Sequence, residues 1–541
     1  MKARGLDWWP APLCEGIRPE RRLGRDLACY ADRPAGLSAM LARAAERAPD
    51  REAVVEGDAR LRWRELSRQA RRLAGGLARL GVGRGDRVAT LLPNGIPFCL
   101  AVFAAAELGA VLVPLNTKLR RAELAFMLAN SAAGVLLADP AFYGEVASVR
   151  DELPCAHYVL AADTPPAGTR RLADLLDGPE AAGAPGVEDD PAFVMYTSGT
   201  TGRPKGAVGT HANVVHSCLS FQRLYGLRDG ERSLVAVPLF HVTGLIAQLL
   251  AISSVAGTCV LMPRFDAAGA LRLLAAERIT HLVAAPTVYV MLMAQPGYRE
   301  VTLPDFRIAG YGGAPIGSDT VRRLREWLPG ARLHNTYGLT ETSSPTTVLA
   351  DEDALERIAT VGRPVPVGEC RTVEPASGRE AAADAVGELW VRGPMVVAGY
   401  WADPEATAAA IVEGGWLRTG DLATIDGAGY VTIKDRIKDM INRGGEKVYC
   451  VEVEEVLCGH PGVLEAAVVG VPDPVYGEAV KACVVPRPGA GLDPDDVREW
   501  VRARLAKFKA PEQVEVLEAL PRNPNGKVVK ALLRNPACCS A

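Results

Sequence analysis

Apolar residues recur at four- and three-residue steps from Trp63 onward, at Leu66, Ala70, Leu73, Leu77 and Leu80, which predicts an amphipathic helix ended by Gly81. The pattern then becomes continuous over Arg87 to Leu92, the mark of a buried strand, and passes through the turn Pro93-Asn94-Gly95 into a helix reaching about Leu108. Gly109 ends that helix, and a β-rich run to Pro114 completes a strand-helix-strand unit. Arg232 to Pro263 repeats the plan as strand, Pro238, helix, Gly257, strand and Pro263, so two related α/β halves are expected. Runs at Thr280 to Ala285, Phe306 to Tyr311 and Ala331 to Thr336 continue the alternation and predict parallel sheets flanked by helices. After about Thr346 the chain turns to short strands between Gly/Pro turns, as in Gly387 to Gly393, which predicts a small β subdomain. Beyond Tyr430 the pattern is α+β: a helix over Val451 to Cys458, β-rich segments at Ala466 to Val471 and Ala479 to Val485, and a helix at Pro494 to Leu505.

The 541 residues, 48% apolar and 23% charged, suit a globular protein of several domain-sized units. With 61 basic against 64 acidic residues the net charge is −3, which supplies no global field to recruit nucleic acid or an anionic membrane. The basic run Arg18 to Arg25 is expected to be part of a solvated N-terminal arm. Twelve cysteines form no CxxC pair and no zinc-spaced cluster, a usage that fits free thiols in a reducing, cytoplasmic setting. Met1 to Pro10 lacks an apolar signal region, and Thr243, Gln248, Ser253, Ser254 and Thr258 interrupt the longest apolar stretch, so no integral membrane segment is expected.

Candidate chemistry begins at Tyr196-Thr197-Ser198-Gly199-Thr200-Thr201-Gly202-Arg203-Pro204-Lys205-Gly206. Its glycines let main-chain N–H groups converge on phosphate oxygens, its hydroxyls donate further bonds, and Lys205 adds a mobile charge. The spacing is not that of a Walker A loop, which ends in Gly-Lys-Ser/Thr. Downstream stand Tyr311-Gly312-Gly313-Ala314-Pro315, Asn335-Thr336-Tyr337-Gly338-Leu339-Thr340-Glu341, Trp416-Leu417-Arg418-Thr419-Gly420-Asp421, Asp435-Arg436-Ile437-Lys438-Asp439 and Pro521-Arg522-Asn523-Pro524-Asn525-Gly526-Lys527. Together and in this order, these segments resemble the adenylate-forming superfamily of acyl-CoA synthetases, luciferase and peptide-synthetase adenylation domains, most of all a bacterial acyl-CoA ligase.

The resemblance implies an N-terminal arm over 1–36, an adenylation domain over 37–434 and a mobile α+β domain over 435–541 that carries the catalytic lysine. It also implies roles. Thr197, Ser198, Gly199, Thr200, Thr201, Gly202 and Lys205 would grip the ATP phosphates; Glu341 would ligate Mg2+ beside Thr340. Gly312, Gly313, Ala314, Asn335, Tyr337 and Gly338 would form the adenine site, with Asp421 on the ribose hydroxyls and Arg436 on ribose or phosphate. Lys527 would bridge the incoming carboxylate and the α-phosphate. Lys438 matches the hinge, and rotation there would bring Asn442, Gly444, Gly445 and Lys447 to line a tunnel for the pantetheine of coenzyme A. A lone histidine beside apolar residues is ordinarily a core group, yet His241 matches a gate between acyl pocket and thiol tunnel. Thr243, Tyr311, Gly313, Asn335 and Thr336 would complete the pocket, and since none is a cation, a monocarboxylic acid, fatty or aromatic, is expected. The family usually has Asn and Pro where this chain has Lys447 and Cys450; without the proline the helix start should be slightly looser. Lys447 either touches a CoA phosphate or plays no part.

The implied activity is ATP-dependent acid:CoA ligation through an acyl-AMP, with pyrophosphate released. Two alternatives remain open at this stage: loading of a separate carrier protein's phosphopantetheine, and a non-catalytic nucleotide-binding regulator.

Overall fold

The computed structural model describes residues 2–181, 184–197, 203–522 and 528–534. The amphipathic pattern that opens the first half folds as the helix Trp63–Arg79, with Leu66, Ala70, Leu73 and Leu77 wholly buried and the Glu65 carboxylate accepting the Arg62 N–H at 2.8 Å at its start. The strand and helix after it are Arg87–Leu91 and Ile96–Leu108. This second helix is apolar on every side, and such a helix is stable only when covered all round. It lies in the largest apolar cluster, which spans both α/β halves.

Each half is built on a sheet. The first has seven strands ordered 170–171, 157–160, 135–138, 87–91, 111–114, 191–197 and 205–210, parallel except for the last pair. The second has nine, ordered 363–364, 347–349, 332–337, 308–312, 281–284, 232–235, 258–261, 52–56 and 59–62, with a parallel centre and antiparallel edges. Asn94, in the predicted turn of the first half, joins the two. Its Nδ2 donates to the carbonyls of Val235, Val237 and Met262 at 3.1–3.2 Å, while its Oδ1 accepts the Leu239 N–H at 2.7 Å.

The repeat in the second half is reproduced with one difference. The helix expected after Pro238 is a π-helix over Thr243–Leu250, which tightens to α-helix only at Ala251–Ser253. Wide π turns are rare and cluster where a protein places function. The N-terminal arm also departs from expectation. Lys2–Arg4 is an edge strand of the β subdomain, pairing antiparallel with Glu369–Arg371, and Ile17–Arg22 and Arg25–Tyr30 form a hairpin. Arg18 and Arg21 do face solvent, but Arg22 pairs with Glu20 and Glu188. Arg33 bonds to both of those carboxylates, and its hydrogen bond to Glu20 helps hold that carboxyl down at about 2. Charge pairing with a distant segment, invisible along the chain, makes the arm part of the domain.

The small C-terminal unit has the antiparallel hairpin Val463–Asp473 and Gly477–Pro486, a parallel third strand Gln513–Val516, and helices Cys450–Cys458 and Pro494–Arg502. It has its own core, including Val453, Leu457, Val468, Val480, Val484, Val497 and Val501.

Candidate active site

The strands Ile308–Gly312 and Arg332–Tyr337 run parallel with Gly312 opposite Thr336, Tyr311 opposite Asn335 and Gly310 opposite His334. Their ends require glycine. A Cβ on Gly312 would lie 2.1 Å from the Thr336 carbonyl oxygen, and one on Gly338 would lie 1.4 Å from that of Ser344. Past Gly312 the chain opens, with Gly313 and Ala314 exposed. Tyr337, at the end of the second strand, donates its hydroxyl to Asp421 Oδ2 at 2.6 Å. Asp421 is 5% exposed on the strand Trp416–Ile425, in register with Arg436, whose Nε lies 3.5 Å from Oδ1. Burial, followed by the charge of Asp421, raises the Tyr337 phenol far above its ordinary range, so it stays a donor. The Tyr337 phenol, expected in the adenine site, holds the Asp421 carboxylate in place.

The phosphate-loop motif bridges the antiparallel strands Pro191–Thr197 and Lys205–Thr210, with Thr197 opposite Lys205 and its Oγ1 donating to the Lys205 carbonyl at 3.4 Å. Ser198, Gly199, Thr200, Thr201 and Gly202 lie outside the described residues. The segment after the β subdomain's first strands zips onto this hairpin: Ala398 N–H to Val208 O, Val208 N–H to Gly399 O, and Trp401 N–H to Gly206 O at 2.7–3.0 Å. That pairing delivers Tyr400, which the sequence reading missed. Its ring centroid is 5.5 Å from Lys205 Nζ, and its hydroxyl donates to Glu341 Oε1 at 2.9 Å. Burial and then the Glu341 charge raise the Tyr400 phenol, keeping its proton on. No spacing along the chain signals a partner 59 residues from Glu341. Glu341 and Thr340 stand on the 3-10 turn Thr340–Thr342, three residues after Tyr337, so Lys205, Tyr400, Glu341, Tyr337, Asp421 and Arg436 form one linked set. Thr340 also lines a small cleft with Ser343, Ile246, Phe193 and Met195.

His241 stands just ahead of the π-helix. Its N–H donates to Pro238 O at 3.0 Å, its carbonyl accepts the Leu245 N–H at 2.9 Å, and Nδ1 accepts the Thr243 N–H at 3.3 Å, which leaves a neutral ring's proton on Nε2. Thr336 is buried with Oγ1 2.8 Å from the Tyr225 hydroxyl. Tyr311 and Asn335 fall elsewhere. Side chains alternate across a strand, and Tyr311, 1% exposed, is packed in a second apolar cluster with Val321 and Leu324 on the opposite face from Thr336. Asn335 shares that opposite face and donates to Thr360 O at 3.3 Å. The pocket wall expected of these two is core.

In the hinge segment Arg436 and Lys438 are exposed. Asn442, Gly444, Gly445 and Lys447 sit exposed on the hairpin Ile441–Arg443 and Glu446–Val448, which the small domain itself holds through Gly444 N–H to Tyr476 O at 2.8 Å and Asn442 N–H to Glu478 Oε2 at 2.7 Å. Lys527 lies outside the described residues. The expectation of a looser helix start at Cys450 is corrected. The Cys450 N–H, which a proline would lack, donates to Asp435 Oδ2 at 2.5 Å, and its Sγ lies 3.0 Å from the Asp439 carbonyl oxygen. The helix is tied to the hinge strand at this point.

The AMP-binding enzyme family matches residues 41–401, and its C-terminal domain matches residues 452–527. The chain belongs to the AMP-binding enzymes. This AMP-binding enzyme is 40% identical over 503 residues to a feruloyl-CoA synthase of Amycolatopsis sp, covering 92% of this chain and 98% of that one. It is 37% identical over 509 residues to the long-chain-fatty-acid–CoA ligase FadD13 of Mycobacterium tuberculosis, covering 92% and 97%. Among solved structures, o-succinylbenzoate CoA synthetase of Bacillus subtilis, in complex with its acyl-adenylate OSB-AMP, superposes with a TM-score of 0.82 at 32% identity, covering 92% and 98%. The enzyme is an acid:CoA ligase that uses ATP and CoA and passes through an acyl-AMP; neither the carrier-protein nor the non-catalytic reading is favoured. Among the described residues, no helix is long and apolar enough to cross a membrane.

Proposed function

We propose that the linked set Lys205, Tyr400, Glu341, Tyr337, Asp421 and Arg436 is the nucleotide site, and that the acid activated there is a monocarboxylate without a second charge. The observations that carry this reading are two hydrogen-bonded pairs, Tyr337 with Asp421 and Tyr400 with Glu341, on a chain segment where Glu341 follows Tyr337 by four residues, with Lys205 Nζ 5.5 Å from the Tyr400 ring; they support a phosphate-side cation and a sugar-side carboxylate in one site. A carboxylate is a poor electrophile, and its attack on the α-phosphorus of ATP brings one anion against another, so fixed cations and donors do most of the catalysis. Lys205 and the hairpin hydroxyls hold the outer phosphates and release them with pyrophosphate. Asp421, fixed by Tyr337, accepts the ribose hydroxyls. Lys527 bridges carboxylate and α-phosphate in the first step. Rotation at Lys438 then withdraws it and presents Gly444 and Gly445, whose lack of side chains leaves room for pantetheine, while His241 separates the acyl and thiol channels.

The residues fit Mg2+. Glu341 spends Oε1 on Tyr400, and no group of three His, Cys, Asp or Glu side chains gathers elsewhere among the described residues, a donor set that suits an ion held by one carboxylate together with phosphate oxygens and water. Bound there, the ion would neutralise charge on the phosphates. On the acyl side Thr243, Gly313 and Thr336 bring no cation, which supports the single-charge assignment. An acid panel assayed for AMP release with and without CoA tests the proposal: AMP formed only with a carboxylic acid, and acyl-CoA only when CoA is added, is expected. Efficient use of malonate would refute the monocarboxylate assignment.

A further inference from the structure

Charged groups gather on both sides of Lys438. Before it, Asp435 lies on the strand Val431–Arg436, opposite Leu422 of the β subdomain, and is 3% exposed. Its Oδ1 accepts the Arg436 N–H at 2.8 Å, and its Oδ2 accepts the N–H of Cys450, the first residue of the small unit's helix Cys450–Cys458. Glu454 stands one turn along that helix, on the same face as Cys450. Lys530 meets this face: its Nζ lies 2.7 Å from Glu454 Oε1, and the two side chains are only 18% and 17% exposed, too little for solvent to screen the pair fully. Lys530 opens the turn Lys530–Leu533, whose Leu533 is wholly buried in the small unit's second apolar cluster with Val469, Val471 and Val485. The cation therefore belongs to the small unit, while Asp435 belongs to a strand of the large domain.

Burial raises the Asp435 carboxyl, and the largest influence opposing that rise is the charge of Lys530. Burial also works against the Lys530 ammonium, but Glu454 foremost, with Cys450 and Asp435, outweighs it and the proton is held more tightly than usual. One cation thus serves two carboxylates. Glu454 lies within the small unit, where it also accepts the Val468 N–H at 2.8 Å. Asp435 is the carboxylate across the hinge, so its attraction to Lys530 lasts only while the two bodies keep this arrangement. Gly444, Gly445 and Lys447 are exposed in it, whereas residues lining a tunnel would be covered, so the attraction belongs to a conformer other than the proposed thiol-side one. A second pair, Arg534 Nη2 with Asp439 Oδ1 at 2.9 Å, lies past Lys438 and does not cross the hinge.

We propose that Lys530 is a positioning residue for adenylation: acting on Asp435 across the hinge, it holds the small unit in the arrangement from which Lys527 serves the first half-reaction. The inference rests on the two-step reading above and adds the group that favours its first conformer. The experiment follows pyrophosphate–ATP exchange, and thioester formation from supplied acyl-adenylate, in the full-length protein, with the acid of the panel above that releases AMP fastest. Lys530→Met keeps the apolar stem and leaves Asp435 and Glu454 without that cation. Exchange should fall about tenfold while thioester formation, which also reports that the small unit is folded, stays within about threefold. Lys530→Arg, which keeps the charge, should return exchange to within about threefold of the wild type. Asp435→Asn keeps an acceptor for the Cys450 N–H and should lose a similar factor; the double variant should lose no more than about twofold beyond the worse single variant, because both changes remove one interaction. Arg534→Met should leave the ratio of the two half-reactions within about twofold. Parallel loss of both half-reactions in Lys530→Met, no recovery with arginine, losses that multiply in the double variant, or an equal shift in Arg534→Met would overturn the inference and leave the ligase reading standing. A panel in which no acid supports exchange would overturn the ligase reading itself, and equal damage to both half-reactions by Lys527→Ala would overturn its two-conformer form; the inference falls with either.

Discussion

The large domain fixes its candidate binding groups from several directions, whereas the small domain holds the hairpin proposed for the thiol tunnel through its own residues. Asp421 is 5% exposed and meets Tyr337 from the second α/β half and Arg436 from the hinge strand; Glu341 meets Tyr400 from a segment zipped onto the phosphate hairpin. By contrast, Asn442, Gly444, Gly445 and Lys447 are exposed, and the hairpin that carries them is bonded to Tyr476 and Glu478 of the same small unit. The groups proposed to recognise nucleotide are held in place by packing, and holding donors in place beforehand removes reorganisation from a reaction. On the proposed reading, groups that act in turn sit on a unit with its own core, and such a unit could move without losing its fold.

The largest effect should come from Lys527→Ala, which removes the cation proposed to bridge the two reacting anions. Adenylation should fall at least 100-fold, ~3 kcal/mol, while thioester formation from supplied acyl-adenylate stays within about fivefold. Equal damage to both half-reactions would erase the distinction between a fixed and a delivered set. Asp421→Asn tests the fixed set. Loss of a charged acceptor, worth ~2 kcal/mol, should raise the KM for ATP about thirtyfold, and 2′-deoxy-ATP should show a smaller penalty in the variant than in the wild type. Tyr400→Phe removes the hydrogen bond that Glu341 Oε1 accepts from the Tyr400 hydroxyl. A loss of ~1 kcal/mol should appear as a roughly fivefold higher Mg2+ concentration at half-maximal AMP formation, with the KM for the acid unchanged. The smallest effect is expected at the joint. Cys450→Pro removes the N–H that Asp435 accepts, ~1 kcal/mol or more, yet proline suits the first helical position and stiffens the unfolded chain by a similar amount in the opposite sense. Urea unfolding should shift by less than ~1 kcal/mol, with the adenylation rate unaltered. A large loss would mean that this hinge tie, and not the small domain's own core, secures the helix.

Periodicity located the large elements closely, because a 17-residue amphipathic helix such as Trp63–Arg79 and a strand as apolar as Arg87–Leu91 express local rules. The motifs located Lys205, Glu341, Tyr337 and Asp421, whose residue types fit phosphate, metal and ribose chemistry. What escaped depends on partners far along the chain. Tyr400 reads as an ordinary aromatic until Trp401 and Ala398 pair with the phosphate hairpin. Tyr311 reads as a pocket residue until the alternation of its strand turns it into the opposite core. The Arg18 to Arg25 run reads as solvated until Glu188 appears beside Arg22.

By itself the sequence determined the α/β alternation, the change of character after Tyr430 and the kinds of group available to ATP, since hydrophobic spacing and residue chemistry are local properties. Tertiary structure alone decided which hydroxyl meets which carboxylate, that the Cys450 N–H meets Asp435, and that the Tyr225 ring packs against Gly310. Those are contacts between segments tens to hundreds of residues apart, set by how sheets stack and strands register, and no local pattern encodes them.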